Sequence, residues 1–96
     1  MYSVPIYTEN DDIDAPSFRI NVKPNSEAAK RCGVAFNPSN DIRVDMLKIY
    51  SAALMQAMTN ALENTGGVDA RSIATAKTYL ESAQMFAVKA LFVNKD

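Results

Sequence analysis

Ninety-six residues make one domain, with ten basic and eleven acidic side chains and a net charge of −1. The absence of histidine removes His-based triads, His general bases and Cys/His zinc sites, and Cys32 alone offers no intrachain disulfide. Near-neutrality argues against a non-specific DNA or RNA binder, which needs an extended basic face, whereas a small anionic ligand needs only a few placed cations.

The charge is unevenly spread along the chain. Residues 1–17 carry Glu9, Asp11, Asp12 and Asp14 with no basic residue. They read as an irregular acidic arm bracketed by Pro5 and Pro16. Phe18-Arg19-Ile20-Asn21-Val22 alternates apolar and polar, the pattern of a short half-buried strand, and Pro24 ends it. Ser26 offers an N-cap for a short helix over 27–32, which Gly33 terminates. Arg19, Lys23, Lys30 and Arg31 give residues 18–40 their basic character. Val34-Ala35-Phe36 is a brief apolar run suited to a second small strand or an extended lead-in. Asn37-Pro38-Ser39-Asn40-Asp41 is a turn by composition.

A long helix is predicted from Asp41 or Ile42 to Glu63, with Ser39 or Asn40 as its cap. Thr65-Gly66-Gly67 breaks it. Asp69 caps a second helix from about Ala70 to Val93, and the short connection predicts antiparallel packing. Val44, Leu47, Ser51, Leu54, Met58 and Ala61 follow a 3–4 spacing on the first helix, and Ile73, Ala76, Leu80, Ala83, Ala87 and Ala90 on the second. These two seams are expected to meet. Met46, Ile49, Tyr50, Ala53, Met55 and Ala57 lie off the first seam, and Tyr79, Met85, Phe86, Val88, Leu91 and Phe92 off the second. From Ile49 to Leu62 there is no charged residue. A helix apolar most of the way round is buried most of the way round. The first forty residues are too polar and short to cover all of this surface, so partner chains are expected to cover the rest.

The expected fold class is therefore mainly α: an antiparallel two-helix hairpin (41–96), a strand-bearing extension (18–40) and the acidic arm (1–17), assembled into a helical homo-oligomer. No run reaches the roughly 18–20 apolar residues that span a bilayer. The opening residues have no basic or apolar leader regions. The cytoplasm is the expected location, with no DNA or membrane partner.

Enzymatic chemistry has little to draw on. Asp41 and Asp45 stand four apart, but Arg43 and Lys48 beside them suit a solvated helix start better than an acid/base pair. Lys77 and Glu81 read as a surface pair. Cys32 reads as structural despite its basic neighbours. No catalytic residue, metal or cofactor is expected. Binding chemistry is better supplied. Arg43 and Lys48 lie near the start of the first long helix, and antiparallel packing brings Lys89 back toward them. Phe36, Asn37 and Ser39 lead into the same end. Cations and helix N-terminal N–H groups suit a phosphate, and an aromatic face with an amide suits a nucleobase. The competing explanation is that Lys48 and Lys89 snorkel out of an apolar interface. The residues alone divide evenly between the two.

Two stretches resemble a known family. Phe36-Asn37-Pro38-Ser39, followed by Arg43-Val44-Asp45-Met46-Leu47-Lys48, is similar to its first-helix signature. The run from Ala76 to Ala90 (AKTYLESAQMFAVKA) is similar to its second-helix signature, with Phe86 where members usually carry tryptophan. The family is the hairpin-domain group of phage anti-defence sponges, which comprises the anti-CBASS cyclic oligonucleotide sponges and the related anti-Thoeris sponges. The resemblance covers roughly residues 34–93. It implies a homohexamer, working in the cytoplasm of an infected bacterium, that binds cyclic dinucleotides and often cyclic trinucleotides between protomers without cleaving them. It further implies that Phe36 stacks on a base and Lys48 meets phosphate, with Arg43 and Lys89 as further basic contacts. The strand-bearing extension resembles that of the anti-Thoeris branch, whose ligands are cyclic ADP-ribose isomers. A helical adaptor with no nucleotide ligand is the alternative outside the family.

Overall fold

A computed structural model describes residues 1–12 and 14–93, so the end of the expected hairpin domain, residues 94–96, lies outside the described residues. Five elements follow in chain order: β1 (Tyr2–Ile6), β2 (Phe18–Val22), α1 (Glu27–Cys32), α2 (Ile42–Asn64) and α3 (Ala70–Ala90). The chain is mainly helical, with a two-stranded antiparallel sheet at its N-terminus. Among the described residues, no helix is long and apolar enough to cross a membrane.

The first correction concerns the arm. Its opening residues form β1, which pairs with β2 in the register Tyr2↔Val22, Val4↔Ile20 and Ile6↔Phe18. Directly opposed residues share a face of a sheet. One face is therefore wholly apolar, and the other carries Ser3, Pro5, Arg19 and Asn21. Pro5 is tolerated because a two-stranded sheet has only edge strands. The expected second strand at Val34–Phe36 does not form. That segment turns out of α1, with the Phe36 amide donating to the Gly33 carbonyl at 3.0 Å.

α1 matches its sequence signals. The Ser26 side chain accepts from the Ala29 amide, and Gly33 adopts the left-handed conformation (φ 63°) that closes the C-terminus. α2 starts at Ile42, one of its two expected starts, but its cap is Asp41 rather than Ser39 or Asn40: the Asp41 side chain accepts from the Arg43 amide while Asn40 takes a positive φ of 57°. Asp69 caps α3 as expected, but α3 ends at Ala90 rather than Val93.

The core lies where the apolar sheet face and α1 cover α2. Val4, Val22, Ala28, Ala29, Cys32, Val34, Ala52, Ala53 and Met55 form it, with Ile49 and Leu80 packed alongside. Met55 is 0% exposed. This corrects the expected seam. Ala53 and Met55 were assigned to the outer stripe, yet the N-terminal extension buries them, whereas Leu54 on the predicted seam is half exposed. Both stripes of α2 are apolar, so the amino-terminal sheet decides which becomes core.

α3 packs antiparallel to α2. Leu80 shares a groove with Leu47, Ser51 and Leu54, and Met85 and Val88 reach the level of Lys48. Its most buried side chains are Lys77 and Gln84, while Ala83 and Ala90 of the predicted seam are exposed. The inward face is thus turned by about one residue from the predicted one. Met46, Tyr50, Tyr79, Met85 and Phe86 remain exposed on the single chain.

Candidate functional site

The open end of the hairpin, opposite the turn at residues 65–69, gathers most of the unusual polar chemistry. Lys48 is only 9% exposed. Its ammonium donates to the Phe36 carbonyl and stands 5.4 Å from the centroid of the Phe36 ring. Gly33 lies beside the ammonium, where a Cβ would meet Lys48 Nζ at an ordinary 3.6 Å. Lys48 meets no carboxylate among the described residues. The Phe36 ring itself is 68% exposed, so one face is free to receive a flat partner.

Lys48 opens on a cleft of about 340 Å³ between α1 and α3, lined also by Lys30, Arg31, Gly33 and Gln84. Two ion pairs fix α1 across this cleft. Arg31 pairs with Glu81 on α3 at 3.0 Å, and Lys77 donates to Glu27 Oε1 at 2.8 Å. The expected Lys77–Glu81 surface pair is therefore replaced by two links between elements. Hydrogen bonding from Lys77 holds the Glu27 carboxyl below the usual range. Burial pushes the Cys32 thiol up, with Glu81 adding to the shift, so Cys32 is protonated packing rather than a nucleophile.

The other expected site residues are placed differently. Asn37 Nδ2 donates to the Asp41 carbonyl and to Asp45 Oδ1, both at 3.0 Å, and Ser39 Oγ donates to Asn37 Oδ1 at 2.6 Å. Both side chains thus build the turn that presents Phe36. Arg43 pairs with Asp41 at 2.7 Å and is otherwise largely exposed. The Asp41 carboxylate occupies the start of α2, so that helix N-terminus does not stand open to an anion. Lys89 lines a separate shallow hollow with Ser82, Met85 and Phe86. One residue beyond Val88 is a turn of about 100° around the helix, which carries Lys89 away from the Lys48 cleft. Within one chain, Arg43 is thus paired with Asp41, Lys48 lines the cleft, and Lys89 lines the neighbouring hollow that shares Met85 with it. Lys30, Arg31 and Gln84 stand at the cleft with Lys48. The Lys30-Arg31 pair next to Gly33 was the sequence signal for the first two.

Among the described residues, no cluster of His, Cys, Asp and Glu could hold a metal ion. No curated protein and no solved structure matches the chain. A family model described as "Acb2/Tad1, hairpin domain" matches residues 26–92. The matched span begins at the cap of α1 and runs past the end of α3, taking in the cleft, Phe36, Lys48 and Lys89. The chain belongs to the Acb2/Tad1 hairpin-domain family of phage anti-defence sponges.

Proposed function

We propose that this protein sequesters cyclic di- and trinucleotide immune signals of the CBASS type, holding them intact inside an infected bacterial cell. Membership brings the coarser part of this reading, because the family consists of sponges for cyclic nucleotides and not of enzymes. The observation that carries the finer part is the buried Lys48 ammonium, which has a carbonyl but, among the described residues, no carboxylate beside it and lies near the exposed Phe36 ring. A phosphodiester oxygen would supply the missing negative charge, and a base would stack on Phe36. Lys30 at the same cleft adds a second cation. Asn37 and Ser39 act by shaping the turn. Arg43 and Lys89 would reach the ligand from a second copy.

The assembled form is proposed to be a homohexamer. Tyr79 and Phe86, at 72% and 70% exposed, support an assembly that covers them. Retention of a cyclic ADP-ribose isomer is the second reading, supported by the β1–β2 sheet, which resembles the strand-bearing extension of the anti-Thoeris branch. Native mass spectrometry with a panel of cyclic di- and trinucleotides and cyclic ADP-ribose isomers separates the readings. A hexamer carrying a whole number of intact cyclic oligonucleotides supports the proposal. Retention of only an ADP-ribose isomer supports the second reading. A hexamer that ignores the whole panel points to an adaptor, and a monomer removes the assembly.

A further inference from the structure

α3 buries two polar side chains, and among the described residues only one has a partner inside the chain. Lys77 has its carboxylate in Glu27. Gln84, at 5% exposed, makes no hydrogen bond among the described residues. It is not sealed away, because no buried side-chain nitrogen or oxygen among them is both inaccessible and unpaired. Its carboxamide therefore opens on the cleft that it lines with Lys30 and Lys48. Burying an amide in this way is unfavourable unless something in the cleft completes its hydrogen bonds.

The polarity of the missing partner follows from what already stands there. Anionic oxygens only accept, and Lys48 and Lys30 supply donors for them. A carboxamide presents a donor and an acceptor side by side in one plane. On the N7 edge of a purine, the base that matches this pair is adenine, whose exocyclic amine donates beside the N7 acceptor; the same edge of guanine offers two acceptors. A cleft of about 340 Å³ lies at the small end of ligand pockets, suited to one nucleotide unit of a larger ligand. The Arg31–Glu81 pair lies one turn before Gln84 on α3, so the wall that carries the amide is tied to α1.

We infer that Gln84 is a base-reading residue of this cleft, and that it selects adenine-containing cyclic nucleotides over guanine-only ones. The inference rests on the cyclic nucleotide reading given above. Its test is calorimetric titration of the full chain with cyclic di-AMP and with cyclic di-GMP, for the wild type, Gln84→Met and Gln84→Glu. The wild type is expected to favour cyclic di-AMP by roughly 5- to 150-fold, the discrimination that a good bidentate contact gives. Gln84→Met keeps the side-chain length and removes both polar groups. Gln84→Glu keeps the shape, removes the donor and adds a negative charge, while its carboxylate still accepts from the adenine amine. Gln84→Met is expected to bring the ratio of the two affinities close to one, with thermal unfolding unchanged or raised, and Gln84→Glu to weaken both nucleotides while keeping part of the ratio. A wild-type protein without adenine preference, or a Gln84→Met variant that retains it, would overturn the role of Gln84 and leave ligand binding standing. A wild type that binds neither nucleotide counts against the sponge for cyclic dinucleotides and removes the inference with it.

Discussion

Replacing Lys48 by methionine removes a charge while keeping most of the stem that fills the space beside Gly33. Two effects then oppose each other in the free protein. A hydrogen bond from a charged donor is worth about 1.5–3 kcal/mol, and this one goes to the Phe36 carbonyl. Phe36 is exposed, so its carbonyl can turn to water and recover part of that loss. The substitution also releases the desolvation cost of an ammonium that is 9% exposed and faces no carboxylate among the described residues. The net change in stability should therefore stay within about 1 kcal/mol. Ligand binding has no such offset. Loss of a charge-assisted bond to phosphate should weaken affinity by about 1.5–3 kcal/mol, roughly 10- to 150-fold in Kd. Calorimetry on the assembled variant, beside a denaturant melt, measures both quantities. An unchanged Kd in a correctly assembled protein would refute a phosphate role for Lys48. A stability loss well above 3 kcal/mol would make it a structural post instead.

Gly33→Ala should destabilise by about 1–2 kcal/mol, the cost of an L side chain in the left-handed region; its Cβ would meet Lys48 Nζ only at an ordinary 3.6 Å. A shift in the denaturant midpoint reads this, and a neutral variant would contradict the C-cap geometry. The Glu27 carboxyl, lowered by its hydrogen bond from Lys77, should contribute fully above the ordinary glutamate value of about 4.3. That contribution is lost as the pH falls through the lower folded-state value. Glu27 is largely exposed, so solvent screening limits the effect to less than about 1 kcal/mol. Melts of wild type and Glu27→Gln should converge at low pH, and a gap that widens on acidification would reverse the argument. Phe86→Asp places a charge on an exposed apolar face and should lower the mass seen by light scattering. An unchanged mass would take Phe86 out of the assembly surface.

Signals confined to a few neighbouring residues were legible in the sequence. Ser26 and Gly33 bound α1, Asp69 opens α3, and the alternation from Phe18 to Val22 gives β2. Features decided by distant partners were not. β1 holds a proline, and its apolar face emerges only when Val4 lies opposite Ile20. The orientation of α2 depended on which of two apolar stripes the sheet would cover, so Met55 was placed on the wrong side. At the candidate site, the proximity of Phe36 and Lys48 followed from the turn leading into α2. Gln84 gave no signal at all, being one polar residue on a helix with several. Its burial without a partner among the described residues is a property of the packed molecule.

The two salt links that tie α1 to α3 also bear on how the molecule is made and unmade. Each joins residues fifty apart in the chain. Closing so long a loop costs more entropy than folding α2 onto α3 across residues 65–69. On that argument the hairpin should form first and α1 dock after it. Contacts completed after the rate-limiting barrier govern how fast a native state comes apart, not how fast it forms. Removing Glu27–Lys77 or Arg31–Glu81 should therefore speed unfolding more than it slows folding.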